Sequence, residues 1–296
     1  MIRALGSPVG VEVDLGWTEI TLQLVRRYRE GVGQNCAGSA STQRVPLGLA
    51  LTLRGGPVPP VALREQTVSV HGGHALRSLA PLVTGDRYRV RTRIDRIFEK
   101  SGRSGPLTVI ARSASLRSQR GGVVWIEDHQ IVRWRSNRDP SLLLSAPSLP
   151  LSPDGPMLGE PTTPEPLELG MVVASEVRPA PDAAALRRYA EILADRELIF
   201  TDPDAARSLG YADVIVPGPV QGAILEDLVC RQLPGWHIAS LAFTFRISLV
   251  ASEAISLSAT VTQIDESGGS QVLGLDLAIE NADGERAAVG SATLMR

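Results

Sequence analysis

The chain has 296 residues, 43% hydrophobic and 21% charged, with a net charge of -2. That supplies enough apolar mass for one large or two ordinary domains and argues against long disordered tails. It also argues against nucleic acid as the main partner, because such a partner demands a basic face. Basic residues are almost all Arg, with Lys100 the single lysine, and the Ala-, Gly- and Pro-rich composition is that expected of a GC-rich bacterial gene.

Residues 1–16 alternate weakly and supply a possible first strand. They lack the apolar h-region of a signal peptide. From Thr18 to about Val32, the spacing of Ile20, Leu22, Leu24, Val25 and Tyr28 predicts a short amphipathic helix, ended by Gly31 and Gly33. Residues 44–54 predict a second, buried helix with Pro46 in its first turn. From Gln66 onward, QTVSVHG, DRYRVRTRIDRIFEK, PLTVIARSASLRSQ and GVVWIEDHQIVRWR alternate with period two between turn formers, so four antiparallel strands are expected over an apolar helix. Residues 138–169, rich in Pro and Ser, read as a linker between units at 1–137 and 170–296.

Beyond the linker the pattern repeats. Arg26-Arg27-Tyr28 recurs as Arg187-Arg188-Tyr189, Leu82–Asp86 as Leu249–Glu253, and Glu99–Gly102 as Asp265–Gly268, at offsets of 161, 167 and 166. Near-constant offsets across ordered landmarks indicate a tandem duplication. Within the second copy, Leu186 to Val229 reads as helix, bend, short helix, strand and a second helix entered through Val216-Pro217-Gly218-Pro219. Asp202 is expected to cap the short helix at 203–209.

This stretch resembles the signature of the MaoC-like hydratases and dehydratases. That signature is an Asp, then Asn-Pro-Ile/Leu-His, then an Asp after one residue, a short Ala/Gly-containing helix, and His-Gly opening the central helix. Here the matching run is Asp195 to Asp202, then Ala205, Gly210-Tyr211 and Pro217-Gly218. VHGGHALRSLAPLVTGD and the run from Phe98 to Arg112 resemble the dehydratase-like N-terminal half of the branch with two fused units. The resemblance covers most of the chain outside the linker. It implies an α+β tandem hot-dog fold, each unit an antiparallel sheet wrapped around a central helix, the two sheets side by side as a pseudo-dimer. It also implies an acyl-thioester substrate, with coenzyme A, an acyl carrier protein or no carrier left open.

In that family an Asp and a His hold the water that adds to an enoyl thioester, and a backbone amide at the central helix start polarises its carbonyl. Asp195 takes the Asp position, as base, as polar anchor or as a simple helix-terminal cap. Glu197 stands for the Asn and reads either as a second carboxylate in the site or as solvated charge before an apolar segment. Phe200 stands where the His is expected, and a phenyl ring cannot carry a proton. Pro217 replaces the second His, while Gly218 keeps the amide, and Tyr211 joins Phe200, Pro217 and Gly218 as expected substrate-binding positions. In the first copy Gln34 matches Asp195, so no carboxylate stands there.

Of the histidines, His71 and His74 read either as borrowed by a site between the halves or as part of a strand edge or its turn; His129 and His237 are expected to be structural. Cys36 and Cys230 make neither a disulfide framework nor a metal set, so a reducing cytoplasm is the default, and Cys230 reads as core. No Gly-rich phosphate loop, Ser-His-Asp set or metal-ligand spacing occurs, so no cofactor or metal is expected, and no apolar run reaches membrane-spanning length. Three functions remain open. They are a hydro-lyase with unusual acid/base residues, a repurposed unit that isomerises or cyclises a polyketide-like chain in secondary metabolism, and a non-catalytic acyl-binding subunit; the missing His favours the second.

Overall fold

The computed structural model describes residues 9–34, 45–54, 67–102, 105–135, 166–193, 197–267 and 269–296. Nearly all of the expected linker, together with Asp195 and Cys36, lies outside them. Ten strands form one antiparallel sheet: β1 (Glu12–Glu19), β2 (Thr67–Ser78), β3 (Arg87–Gly102), β4 (Gly105–Ser118), β5 (Val123–Arg135), β6 (Val172–Pro179), β7 (His237–Phe245), β8 (Ala254–Ser267), β9 (Ser270–Glu280) and β10 (Arg286–Met295). Their order, β1-β3-β4-β5-β2-β7-β10-β9-β8-β6, is one five-strand pattern followed by its two-fold image. The second strands of the halves meet at the seam, paired from Gly73↔Thr244 to Arg77↔Ser240. This is the tandem hot-dog arrangement expected from the resemblance.

The duplication is visible in backbone detail. In the first half Gly85 N–H donates to Ile20 O, and in the second Ser252 N–H donates to Pro181 O. Ile20 N–H donates to Asp86 O, matched by Ala180 N–H to Glu253 O. Both turns need a left-handed residue, Gly85 at φ 87° and Ser252 at φ 62°. A bulge between Ile94 and Arg96 in β3 is repeated between Val261 and Gln263 in β8.

Four α-helices lie on the concave side: α1 (Leu22–Gly31), α2 (Ala183–Leu193), α3 (Pro203–Ser208) and α4 (Gly218–Gln232). Thr21 caps α1 by accepting from Leu24 N–H at 3.1 Å, and Asp182 accepts from Ala185 N–H at 2.7 Å at the start of α2. The first helix therefore starts later than its apolar spacing suggests, because Thr18 and Glu19 pair with Tyr88 and Arg87 in the sheet. The matched tyrosines of the repeat meet where α1 crosses α2: the Tyr28 and Tyr189 rings are 6.0 Å apart. Gly31 permits this crossing, since a Cβ there would stand 3.0 Å from Tyr189 Cα.

Helix α4 is apolar nearly all round, with Val220, Ile224, Leu225, Leu228 and Val229 each at most 1% exposed, as a helix enclosed by a sheet requires. Gly222 seats it over Phe243, whose ring would be 3.0 Å from an added Cβ. The corresponding place in the first half holds the second helix expected at 44–54, as a 3-10 helix over Leu47–Arg54. No strand forms between α3 and α4; the segment makes the isolated bridge Ile215↔Val250. No described helix is long and apolar enough to cross a membrane.

Candidate active site

The two helix starts differ in what fills them. At the 3-10 helix, the N–H groups of Leu47 and Gly48 both donate to the carboxylate of Glu226, a residue of α4 that is 5% exposed; the Gly48 bond is 2.9 Å. An anion held by unpaired N–H groups is the usual way to satisfy such a terminus, and here the protein supplies the anion itself. The same carboxylate and Tyr189 add to the dominant effect of burial in holding the Tyr28 phenol well above its ordinary range.

At α4 no side chain caps the start, because the N-cap is Pro217. Val220 and Gln221 N–H both donate to Pro217 O, at 3.0 and 3.2 Å, and Pro219 has no N–H. Gly218 N–H is left as the donor of that turn, at the positive end of a 15-residue helix dipole. In the same turn the buried Gln221 donates through Nε2 to Val216 O at 3.1 Å, while its Oε1 has no hydrogen-bond partner.

Strand β2 of the other half packs against this terminus. A Cβ at Gly218 would lie 2.8 Å from His71 Cβ and 2.6 Å from Phe245 Cε2. Alternation would place His71 and His74 on opposite faces of β2. The register shift between His71 and Gly73 inserts Gly72 as an extra residue, so His71 pairs with Ile131 and His74 with His129, and both rings face inward. Gly72 is needed there, since a Cβ would come 2.6 Å from Val132 Cγ2.

Four polar side chains thus collect on the concave face of the first half. His71 stacks on His129, with centroids 4.9 Å apart and ring planes 17° from parallel, and His129 lies 5.3 Å from His74. Glu127, fully buried, approaches both inner rings through Oε1: 3.1 Å to His74 Nε2 and 3.7 Å to His129 Nδ1. A carboxylate in that position requires a proton donor or cation beside it, and the imidazoles supply one. Arg112, 8% exposed, pairs opposite His129 on β4. Only His71 of the three rings is partly exposed.

Of the expected positions, Phe200 is 2% exposed and its ring centroid lies 6.3 Å from that of His71, on β2 of the opposite half. Glu197 stands at the start of the short 3-10 turn Leu198–Phe200. It faces Arg133 of β5, whose guanidinium pKa is lowered by burial and partly restored by the Glu197 charge; Arg133 Nε also donates to Ser69 Oγ at 3.0 Å. Tyr211 follows α3 and its hydroxyl is 3.4 Å from Ser248 Oγ. Asp202 caps α3 as expected, accepting from Asp204 and Ala205 N–H. Gln34 Nε2 donates to Ala223 O of α4 at 3.4 Å, and Cys230 packs partly buried against the core. Among the described residues no His, Cys, Asp and Glu grouping has the geometry to hold a metal ion.

Two histidine expectations need correction. His71 and His74 lie at the centre of the ten-stranded sheet and not at its edge, because β2 is a seam strand. His129, in β5, is buried beside both rings. The signal was present as two complementary phrases: His-Gly-Gly-His, whose glycines permit a bulge, and Glu127-Asp128-His129, whose alternation puts a carboxylate and an imidazole on one face.

No family model matches the chain. The mesaconyl-C(4)-CoA hydratase of Chloroflexus aurantiacus is 26% identical over 201 residues, 66% of this chain and 63% of that protein, so the match spans just under two thirds of that relative. A UPF0336 protein of Clavibacter michiganensis is 26% identical over 119 residues, 37% of this chain and 80% of its own. Among solved structures, a MaoC-like dehydratase superposes with a TM-score of 0.74 at 14% identity, covering 97% of this chain and 98% of that one. A MaoC-like dehydratase from Phytophthora capsici gives 0.65 at 13% identity over 97% and 95%. A Mycobacterium tuberculosis protein described as a double hotdog fold gives 0.61 at 14% identity over 97% and 96%. The chain has the double hot-dog fold of the MaoC-like dehydratases.

Proposed function

We propose that this chain is an acyl-thioester hydro-lyase, adding water to or removing it from C2–C3 of a thioester bound at the start of α4. The observation that carries this reading is the Gly218 N–H at an uncapped helix terminus, packed against an imidazole-bearing strand. Hydration of an enoyl thioester places negative charge on the carbonyl oxygen as the water oxygen bonds to C3. A backbone N–H at the positive end of a helix stabilises that charge, and such a donor is worth ~10²–10³ in rate. The water must lose a proton to a base and C2 must gain one. Asp195 and Glu197 are the carboxylates proposed for the water; Phe200, Tyr211 and Pro217 are proposed to line the acyl group. Similarity to a mesaconyl-C(4)-CoA hydratase and to dehydratase structures supports a thioester substrate. Coenzyme A or acyl carrier protein would serve as carrier.

A second reading rests on Phe200. In the motif resemblance Phe200 stands where the family has its proton-carrying His, and its ring is buried; this supports isomerisation or cyclisation of a polyketide-like chain, where folding the substrate supplies much of the catalysis. One assay separates them: hydration of a panel of trans-2-enoyl thioesters by the native protein and by Phe200→His. Hydration by the native protein at an ordinary enzyme rate supports the hydro-lyase. An inert native protein with an active Phe200→His variant shows that thioester binding persists and the reaction has changed. Inertness of both overturns the hydro-lyase and directs the test to linear precursors that can cyclise, whose product ratios must then change when the protein is added.

A further inference from the structure

We propose that His71, a residue of the N-terminal half, is the catalytic acid/base of the site at α4, and that His129 and the His74–Glu127 pair are positioning residues behind it. This rests on the hydro-lyase reading and names the group that replaces the missing imidazole. The position of Phe200 has lost its proton carrier, yet the ring 6.3 Å away is an imidazole. His71 also meets the uncapped helix start directly, its Cβ 2.8 Å from where a Gly218 Cβ would stand.

A purely structural cluster explains these features less well. Burying two imidazoles and a carboxylate, with a third imidazole half-buried, on the inner face of the sheet carries a desolvation cost. An apolar set would fill the space without it. Moreover, the bulge at Gly72 is what turns His71 inward, and without it His71 would point to the outer face. The cluster is graded in exposure: Glu127 is fully buried, His129 and His74 are 3% and 5% exposed, and His71 is partly open. That is the order of an outer reacting group held by an inner pair. The stack with His129 fixes the plane of the His71 ring, while Glu127 Oε1, 3.7 Å from His129 Nδ1, holds the ring behind it.

In the hydration direction the His71 imidazolium gives its ring proton to C2 as the hydroxyl oxygen of water bonds to C3. The water's other proton goes to a carboxylate and returns to the imidazole through solvent. One water is added and both groups are restored. The charged groups facing His71 are Glu127 and His129 on β5, His74 on β2 itself, Arg112 on β4, and the Arg133–Glu197 pair beyond Ile131. The first turn of α4, Gly218 to Gln221, carries none.

The test compares His71→Gln, His129→Phe and Glu127→Gln for kcat against pH on an enoyl thioester that the native protein turns over, alongside calorimetric binding of hexanoyl-coenzyme A. His71→Gln is expected to lower kcat by ~10²–10⁴ while binding of the saturated thioester changes by less than about threefold. His129→Phe keeps a flat ring in the stack and is expected to retain binding while altering the pH profile. Glu127→Gln removes the negative charge behind the stack and is expected to move the His71 limb to lower pH. Should His71→Gln fail to fold, carbethoxylation of native His71, traced by mass spectrometry, must inactivate the enzyme and be slowed by hexanoyl-coenzyme A. Native turnover that survives His71→Gln, or modification without loss of activity, overturns the role of His71 alone. Absence of turnover by the native protein overturns the hydro-lyase reading itself.

Discussion

Replacing Glu226 by Gln tests the assignment of the closed helix start. The carboxylate accepts from both Leu47 and Gly48 N–H, at 5% exposure. A carboxamide offers one oxygen, so one N–H faces an NH₂ and both are left unsatisfied in a buried place. A hydrogen bond to a charged group contributes ~1.5–3 kcal/mol, and a stranded buried polar group costs ~1–3 kcal/mol. Against this, neutralising a buried charge relieves desolvation. The net expectation is a loss of about 2–4 kcal/mol, which at ~2–4 °C per kcal/mol for a large domain lowers Tm by roughly 5–15 °C. Urea unfolding followed by circular dichroism gives the first figure, with unchanged m. Hydrogen exchange at Leu47 and Gly48 should accelerate. A variant within about 0.5 kcal/mol of the native protein, with both amides still protected, would refute the view that this carboxylate holds the 3-10 helix in place.

Gly218→Ala should cost about 1–3 kcal/mol through overpacking, because its Cβ meets Phe245 and His71 below 3.0 Å; calorimetry and turnover should fall together. Ser252→Gly should stabilise by about 0.5–1 kcal/mol by relieving a left-handed backbone; an unchanged Tm would show that the Ser252 conformation carries no strain. Glu253 is half-buried, and desolvation raises its carboxyl above the ordinary 4.5, with its bond from Val250 N–H acting the other way. A raised acid favours the protonated form in the folded state. Its contribution is therefore full at low pH and is lost as pH rises from 4.5 through the folded value. Glu253→Gln should flatten that segment of the stability profile, and an unaltered slope would exclude Glu253 as its source.

Much of the fold was legible because period-two alternation in β2 to β5 and the repeated turns at Gly85 and Ser252 are local signals. The 3-10 helix was not, because an apolar run such as LGLALTLR does not distinguish three residues per turn from 3.6, and the deciding partner, Glu226, lies in the other half. The same applies to the site. That Gly218 opens the central helix was readable from its flanking prolines. The place of His71 beside it was not, because that depends on a one-residue bulge and on a seam that brings β2 to a helix more than a hundred residues away in sequence.

The seam has an evolutionary consequence. When two identical subunits share such a sheet, every substitution appears twice, and a carboxylate that seals one helix start seals both. Joining the copies in one polypeptide frees each from its twin. Glu226 can then plug one terminus while the other stays uncapped, and a strand of one half can bring its own imidazole to the helix start of the other.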